Sequence, residues 1–261
     1  NGVMNSRPEP APRASVVTAA APEAALAALF QPFVGGELAF PASGDVLFLG
    51  ARAGAALREH ASADWLCEQS FAPFADELAR CGLRVGEAAP DQRFGCVLVL
   101  PPRQRDAARA QLARALGHVA DDGVVVVAVP NAEGAKTVEG DLVRLAGTVA
   151  HLSKHKCRVV WTTPAEARVD AALAAEWRAF DAPRANADGW WSRPGLFAWD
   201  RVDRASALLA AHLPADLAGP VADLGTGCGY LASAVVARCP GVAAIDLYEA
   251  ESRALEPARR N

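Results

Sequence analysis

The 261-residue sequence lacks several features that would define common functional classes. Its six cysteines (Cys67, Cys81, Cys96, Cys157, Cys228 and Cys239) include no C-x-x-C pair. That spacing argues against a zinc site and for buried, reduced thiols, as expected of a cytoplasmic protein. The five histidines show no H-x-x-H or H-E-x-x-H spacing, so no metal is expected. No apolar run approaches the roughly 20 residues of a membrane span, so no membrane partner is expected. The opening "NGVMNSRPEPAPRAS" has no apolar h-region of the signal-peptide kind, and its prolines and polar residues predict a disordered lead over 1–20. Basic residues are not in excess. Lys and Arg number 26 against 30 Asp and Glu, a formal charge of −4, so an overall basic footprint for nucleic acid is absent and only local patches remain possible.

With 52% hydrophobic and 21% charged residues, the chain is globular, and its length suits one large domain or two ordinary ones. Buried apolar runs at 45–50 (DVLFLG), 94–102 (FGCVLVLPP) and 123–131 (GVVVVAVPN) predict strands, as do 63–70 and 155–163. Between them, 103–119 carries Ala108, Leu112, Ala115, Leu116 and Val119 on one helical stripe. Strands alternating with helices imply an α/β fold with a parallel sheet. Thr163, Pro164 and Glu166 match the cap, first-position proline and capping-box glutamate of a further helix, whose apolar side is Val169, Leu173, Trp177 and Phe180. The Pro-, Asn-, Asp- and Gly-containing stretch 181–189 then reads as a loop, and a domain boundary is expected between residues 163 and 190.

The most informative stretch is "VADLGTGCGYLAS", 221–233. A strand (219–225), a glycine turn, a helix (230–240) and a second strand (241–249) follow one another, as at the ligand end of a doubly wound sheet. Gly225, Gly227 and Gly229 let the backbone turn tightly and admit a ligand where a Cβ would clash. A dinucleotide fingerprint would be G-x-G-x-x-G/A, and Tyr230 stands directly after Gly229, where a pyrophosphate needs a small residue. G-x-G-x-G preceded by Asp223 instead resembles motif I of the class I S-adenosylmethionine (SAM) methyltransferases. That resemblance implies SAM as cofactor, with Asp223, Gly225, Thr226, Gly227 and Gly229 forming its loop and an acid after the next strand receiving the ribose hydroxyls. Glu249 fits that role, with Asp246 as rival. Glu249 is preferred because Asn261 closes "ALEPARRN", which resembles the A-L-x-x-A-R-x-N helix that follows the ribose acid. Cys228 inside the loop reads as a small filler or, against the odds of its spacing, a nucleophile.

An internal echo points further. Laid over "ADLGTGCGYLA", the earlier "LFLGARAGAAL" (47–57) keeps Gly50 and Gly54, but puts Phe48 where Asp223 stands and Arg52 where Gly227 stands. Glu68 is read as the echo of Glu249. "VLVLPPRQ" places Leu100 and Arg103 where an active enzyme of this kind carries the asparagine and aromatic of N-P-P-[FYW]. Together with "WWSRPGLFAWDRVDRASALLAAHL" before motif I and "VPNAEGAKTVEGDL", this layout over residues 40–261 resembles the RsmC-type ribosomal RNA (guanine-N2)-methyltransferases. The resemblance implies two Rossmann-like methyltransferase-type domains: a degenerate one over 21–180 and the start of a SAM-binding one, incomplete in this chain, over 181–261. It implies methyl transfer from SAM to the exocyclic N2 of a guanine, with ribosomal RNA or a ribosomal subunit as partner.

No N-P-P-[FYW] occurs between Glu249 and Asn261, so the catalytic residues stay unassigned and this stretch is not expected to be catalytically competent by itself. Two alternatives accompany the enzyme reading: a non-catalytic RNA- or partner-binding module of paired Rossmann-like domains, and a nicotinamide-dependent dehydrogenase, against which Tyr230 argues. Trp190, Trp191, Phe197 and Trp199 are read either as stacking surfaces for a base or adenine, or as packing. "HLSKHKCR" (151–158) and Arg184, Arg193, Arg201 and Arg204 supply local positive charge, read either as RNA contacts or as a solvated face.

Overall fold

The computed structural model describes residues 20–41 and 44–261, so the disordered lead expected over 1–20 lies almost wholly outside the described residues. The chain opens with helices α1 (Ala20–Leu29) and α2 (Gln31–Val34). Strand β1 (Val46–Leu49), helix α3 (Ala55–His60), strand β2 (Leu66–Glu68), helix α4 (Ala72–Arg80) and strand β3 (Arg84–Val85) follow. Strand β4 (Phe94–Val99), helix α5 (Arg105–His118), strand β5 (Val119–Pro130) and helix α6 (Ala135–Ala146) complete the parallel part. Strands β6 (Gly147–Lys154) and β7 (Cys157–Ala167) form a hairpin, and helix α7 (Ala171–Ala179) packs back on α5.

Among the described residues these strands make one seven-stranded sheet in the order β3-β2-β1-β4-β5-β7-β6. Strands β1 to β5 pair in parallel, β7 runs antiparallel to β5, and β6 antiparallel to β7. The central strands are buried on both faces, which is why they read as unbroken apolar runs. One face packs Leu47, Val97, Val125 and Val127 against α5, α6 and α7; the other packs Phe48, Leu98 and Val126 against Leu26 and Leu29 of α1 and Phe30 just after it.

Two expectations fail here, and for one reason. Thr163 is not a helix cap: β7 continues to Ala167 because its partner β6 is there to pair with, and the Thr163 hydroxyl donates to the Thr148 carbonyl at 3.3 Å. Helix α7 starts at Ala171, where the Asp170 carboxylate accepts from the Leu173 N–H at 2.9 Å. Val169 therefore precedes the helix and is exposed, whereas Trp177 is fully buried. Pairing with the adjacent strand of the hairpin overrides a local capping pattern.

The chain leaves the sheet after α7. A short hairpin of β8 (Arg184–Ala185) and β9 (Trp191–Ser192) leads to helix α8 (Arg204–Ala211). Strand β10 (Ala218–Leu224), helix α9 (Tyr230–Arg238) and strand β11 (Gly241–Tyr248) then form a parallel β-α-β unit, followed by helix α10 (Leu255–Arg260).

Burial determines which thiols can react. Cys67 and Cys96 sit in the core, and burial pushes both thiols up to about 12. Loss of solvation also raises Cys157 and Cys228. Cys81 is the exposed cysteine among the described residues. Because the thiolate is the reactive form, Ellman's reagent at neutral pH is expected to titrate one thiol rapidly, and Cys81→Ser to remove that phase. Several fast thiols in the native chain would contradict this packing.

Candidate cofactor site

The sequence-predicted residues converge at the end of β10. Gly225, Gly227 and Gly229 all have left-handed backbones (φ 75°, 55° and 84°), which side-chain-bearing residues adopt only with strain. At Gly225 and Gly227 nothing lies within 4 Å of where a Cβ would stand, so the bare backbone borders open space. The Asp223 carboxylate accepts from the Thr226 hydroxyl at 2.8 Å and holds the turn from beneath. The Gly227 N–H donates to Glu249 Oε2 at 2.7 Å, joining the turn to the residue after β11. The Glu251 N–H donates to Glu249 Oε1 at 2.8 Å. Each carboxylate oxygen accepts one of these hydrogen bonds and retains a second lone pair for a ligand hydroxyl.

The rival Asp246 lies within β11, opposite Ala222, and is exposed rather than turned into this network. Asn261 closes the site from behind: its side-chain amide donates to the carbonyls of Cys228 (2.7 Å) and Trp191 (2.8 Å), and its Oδ1 accepts from the Trp191 N–H. Cys228 is a loop member whose thiol is raised by desolvation, which disfavours the thiolate a nucleophile requires. Among the described residues no group of His, Cys, Asp and Glu is arranged to hold a metal ion.

The aromatic segment is mostly engaged. Trp190 meets Tyr230 edge-on (centroids 5.1 Å apart), Trp191 lies under Arg260 and Trp199 under Arg184; Phe197 stands 84% exposed. The nearby arginines are largely spent on ion pairs. Arg193 reaches Glu256 (2.8 Å) and Asp181, Arg184 reaches Asp106 (3.1 Å), and Arg201 reaches Asp200. Arg193 and Arg184 thereby tie distant segments together, Arg201 pairs only with its sequence neighbour, and Arg204 is exposed at the start of α8.

The internal echo is visible in the backbone, with one correction. Ala51 N–H donates to the Glu68 carbonyl as Thr226 N–H donates to that of Tyr248, both at 3.1 Å. Leu49 pairs with Glu68 as Leu224 pairs with Tyr248. The counterpart of Glu249 is therefore Gln69, one residue beyond Glu68. Its Oε1 accepts from Phe71 N–H, two residues on, as Glu249 accepts from Glu251. Glu68 points elsewhere: it is buried, receives both Arg114 guanidinium nitrogens (2.5 and 2.8 Å) and accepts from Ala88 N–H. Counting from strand ends, rather than matching residue types, would have found Gln69.

The earlier loop is filled by protein. Phe48, at the place of Asp223, is fully buried in the α1-side core. A Cβ on Gly50 would meet the Leu100 carbonyl at 2.4 Å, so that glycine serves strand contact and not a ligand. Arg52 lies 3.3 Å over the Phe74 ring, and loss of solvation lowers its pKa against the pull of Glu77. Leu26 and Glu23 of α1 press on Gly54, leaving a cavity of about 250 Å³.

The two loops meet. Phe71 and Glu251 form an antiparallel bridge, Ala72 N–H donating to the Ala250 carbonyl and Ser252 N–H to that of Ser70. Equivalent residues of the two repeats thus face each other about a local pseudo-two-fold axis, as at an isologous interface. None of this contact was legible beforehand.

Comparison with known proteins agrees with this geometry. Residues 189–261 match the family model of the methyltransferase small domain. Ribosomal RNA small subunit methyltransferase C of Cronobacter sakazakii is 34% identical over 30% of this chain and 25% of its own length. The protein of that name from Shewanella amazonensis is 26% identical over 58% of this chain and 45% of its own. The chain thus spans less than half the length of these curated relatives. The solved structure of the T. thermophilus 16S rRNA N2 G1207 methyltransferase (RsmC), in complex with AdoMet and guanosine, superposes over 90% of this chain and 65% of its own with a TM-score of 0.67 at 16% identity, a shared fold. The seven-stranded sheet accordingly shares the Rossmann-like methyltransferase fold, residues 189–261 match a methyltransferase small domain, and the chain is similar to the RsmC-type ribosomal RNA methyltransferases.

Proposed function

We propose that the chain belongs to a SAM-dependent methyltransferase that modifies the exocyclic N2 of a guanine in ribosomal RNA. Residues 181–261 begin its SAM-binding domain, and 21–180 form a degenerate methyltransferase-like domain. The observation that carries this reading is the left-handed glycine turn bonded to Glu249 through Gly227 N–H, beside open space. Those residues fit the cofactor: the space along Gly225 and Gly227 accommodates its body, and Glu249 accepts its ribose hydroxyls. SAM supplies the methyl group when bound.

The chain's own residues perform the positioning. Asp223 and Thr226 hold the turn in its left-handed shape, Asn261 fastens the Cys228 carbonyl, and Glu249 is aligned by two backbone N–H groups before any ligand arrives. Such preorganisation lowers the entropy lost on binding. The acceptor and its ribosomal context are supported by the similarity to ribosomal RNA small subunit methyltransferases C, which also favours this reading over a non-catalytic module. No helix among the described residues is long and apolar enough to cross a membrane.

Calorimetric titration of the whole chain with SAM, S-adenosylhomocysteine and NAD tests the reading. SAM and S-adenosylhomocysteine are expected to bind and NAD not to. Glu249→Ala is expected to weaken SAM at least tenfold, about 1.4 kcal/mol, the scale of hydrogen bonds to a charged group. Tighter binding of NAD, or unchanged SAM affinity in Glu249→Ala, would overturn the assignment.

A further inference from the structure

Strands β6 and β7 are joined by a two-residue turn, with Lys154 paired to Cys157. Both turn residues, His155 and Lys156, are left-handed (φ 51° and 58°). Hairpin turns of this length favour Asn-Gly or Asp-Gly, because side-chain-bearing residues are strained there. This turn instead presents an exposed histidine and lysine, flanked by exposed Lys154. Beside it lies an open basin of about 400 Å³, lined by Asn131, Lys136, Thr137, Ser153 and Arg158.

The charges around it are unbalanced. Arg158 is paired with Glu139, whose other oxygen is 3.2 Å from His151 Nδ1, and Glu133 faces Arg103 at 3.8 Å. The ammonium groups of Lys136, Lys154 and Lys156 have no hydrogen-bond or ion-pair partner among the described residues. None of the exposed large apolar side chains lies on residues 147–158, which disfavours an apolar peptide as ligand. Strain of this kind persists where a residue serves something other than the fold.

We infer that this hairpin tip and basin dock phosphates of an RNA backbone; the inference rests on the proposed action on ribosomal RNA. Strand β6 runs parallel to β5, so the tip stands at the same rim of the sheet as the loop after β2, where Phe71 meets Glu251. Four strand spacings separate β2 from β7, about 20 Å. An RNA strand laid along this rim would link the hairpin tip to the glycine-turn side. Cationic side chains and hydroxyls position a backbone without reading its sequence.

Two variants of the whole chain test the site, with a fluorescein-labelled single-stranded RNA of about 20 nucleotides as probe, by anisotropy across a KCl series; each lost phosphate contact lowers the salt slope by about 0.7. His155→Asn/Lys156→Gly installs the preferred turn, so it is expected to unfold at higher temperature yet bind RNA more weakly, with the slope reduced by about 0.7. Lys136→Glu/Lys154→Glu is expected to reduce the slope by about 1.4, with SAM affinity unchanged in both. Wild-type RNA affinity and slope in both variants would overturn this site alone. A wild-type chain that binds SAM but no RNA would overturn both the site and the RNA acceptor proposed above.

Discussion

Gly227→Arg is expected to abolish SAM binding, with affinity falling at least a hundredfold, beyond about 2.7 kcal/mol. The substitution copies what the first repeat already contains, since Arg52 stands at the equivalent place with its guanidinium against Phe74. Nothing protein-made lies within 4 Å of the new Cβ, so the arginine fills ligand space and does not strike the fold. Its left-handed backbone costs of order 1–3 kcal/mol of stability. Gly227→Ala separates the two effects, because it carries the same backbone strain with one carbon. Calorimetry should find alanine weakened modestly and arginine silent. Equal affinities for wild type and the arginine variant would remove the glycine turn from the cofactor site.

Trp177→Ala is expected to destabilise the chain by about 3–5 kcal/mol in urea denaturation, the scale of deleting a large buried aromatic. Against a total of roughly 5–15 kcal/mol that is a large fraction. Trp177 is 1% exposed, in the cluster formed by α5, α6 and the sheet. It also lies beneath two cations, Arg109 at 4.6 Å and Arg144 at 5.2 Å from the ring centre. Arg109 donates twice to the buried Asp141 at 2.9 Å, so the missing ring leaves a cavity under an ion pair that excludes water. Trp177→Phe keeps a ring for both cations and is expected to lose less. A loss near zero for alanine would mean that α7 does not hold the sheet.

The fully buried strands were readable because a parallel sheet covered on both faces requires unbroken apolar runs, and β1, β4 and β5 carry them. The edge strand β6 was missed. No residue of "GTVAHLSK" is fully buried, so it carries no apolar run, and its identity as a strand comes from β7 beside it. The basic run 151–158 read as charge along a line, and the fold turns it into a hairpin tip. In the candidate cofactor site the convergence of Asp223, the three glycines and Glu249 on one turn was legible because their spacing is local to one β-α-β unit. Gln69 was not, because residue type pointed to Glu68, whereas register pairs the strands one residue further along.

By itself the sequence determined the strand-turn-helix-strand unit of 218–248 and its acid, since glycine's conformational freedom and the apolar periods act over a few residues. Only the tertiary structure decided that β7 overrides the cap at Thr163, that α1 and Arg52 fill the earlier loop, and that Phe71 grips Glu251 across the pseudo-two-fold axis. Each of these depends on hydrogen bonds or packing between separate segments, whether consecutive strands of a hairpin or stretches far apart in the chain, and such partners leave no periodic trace in either segment alone.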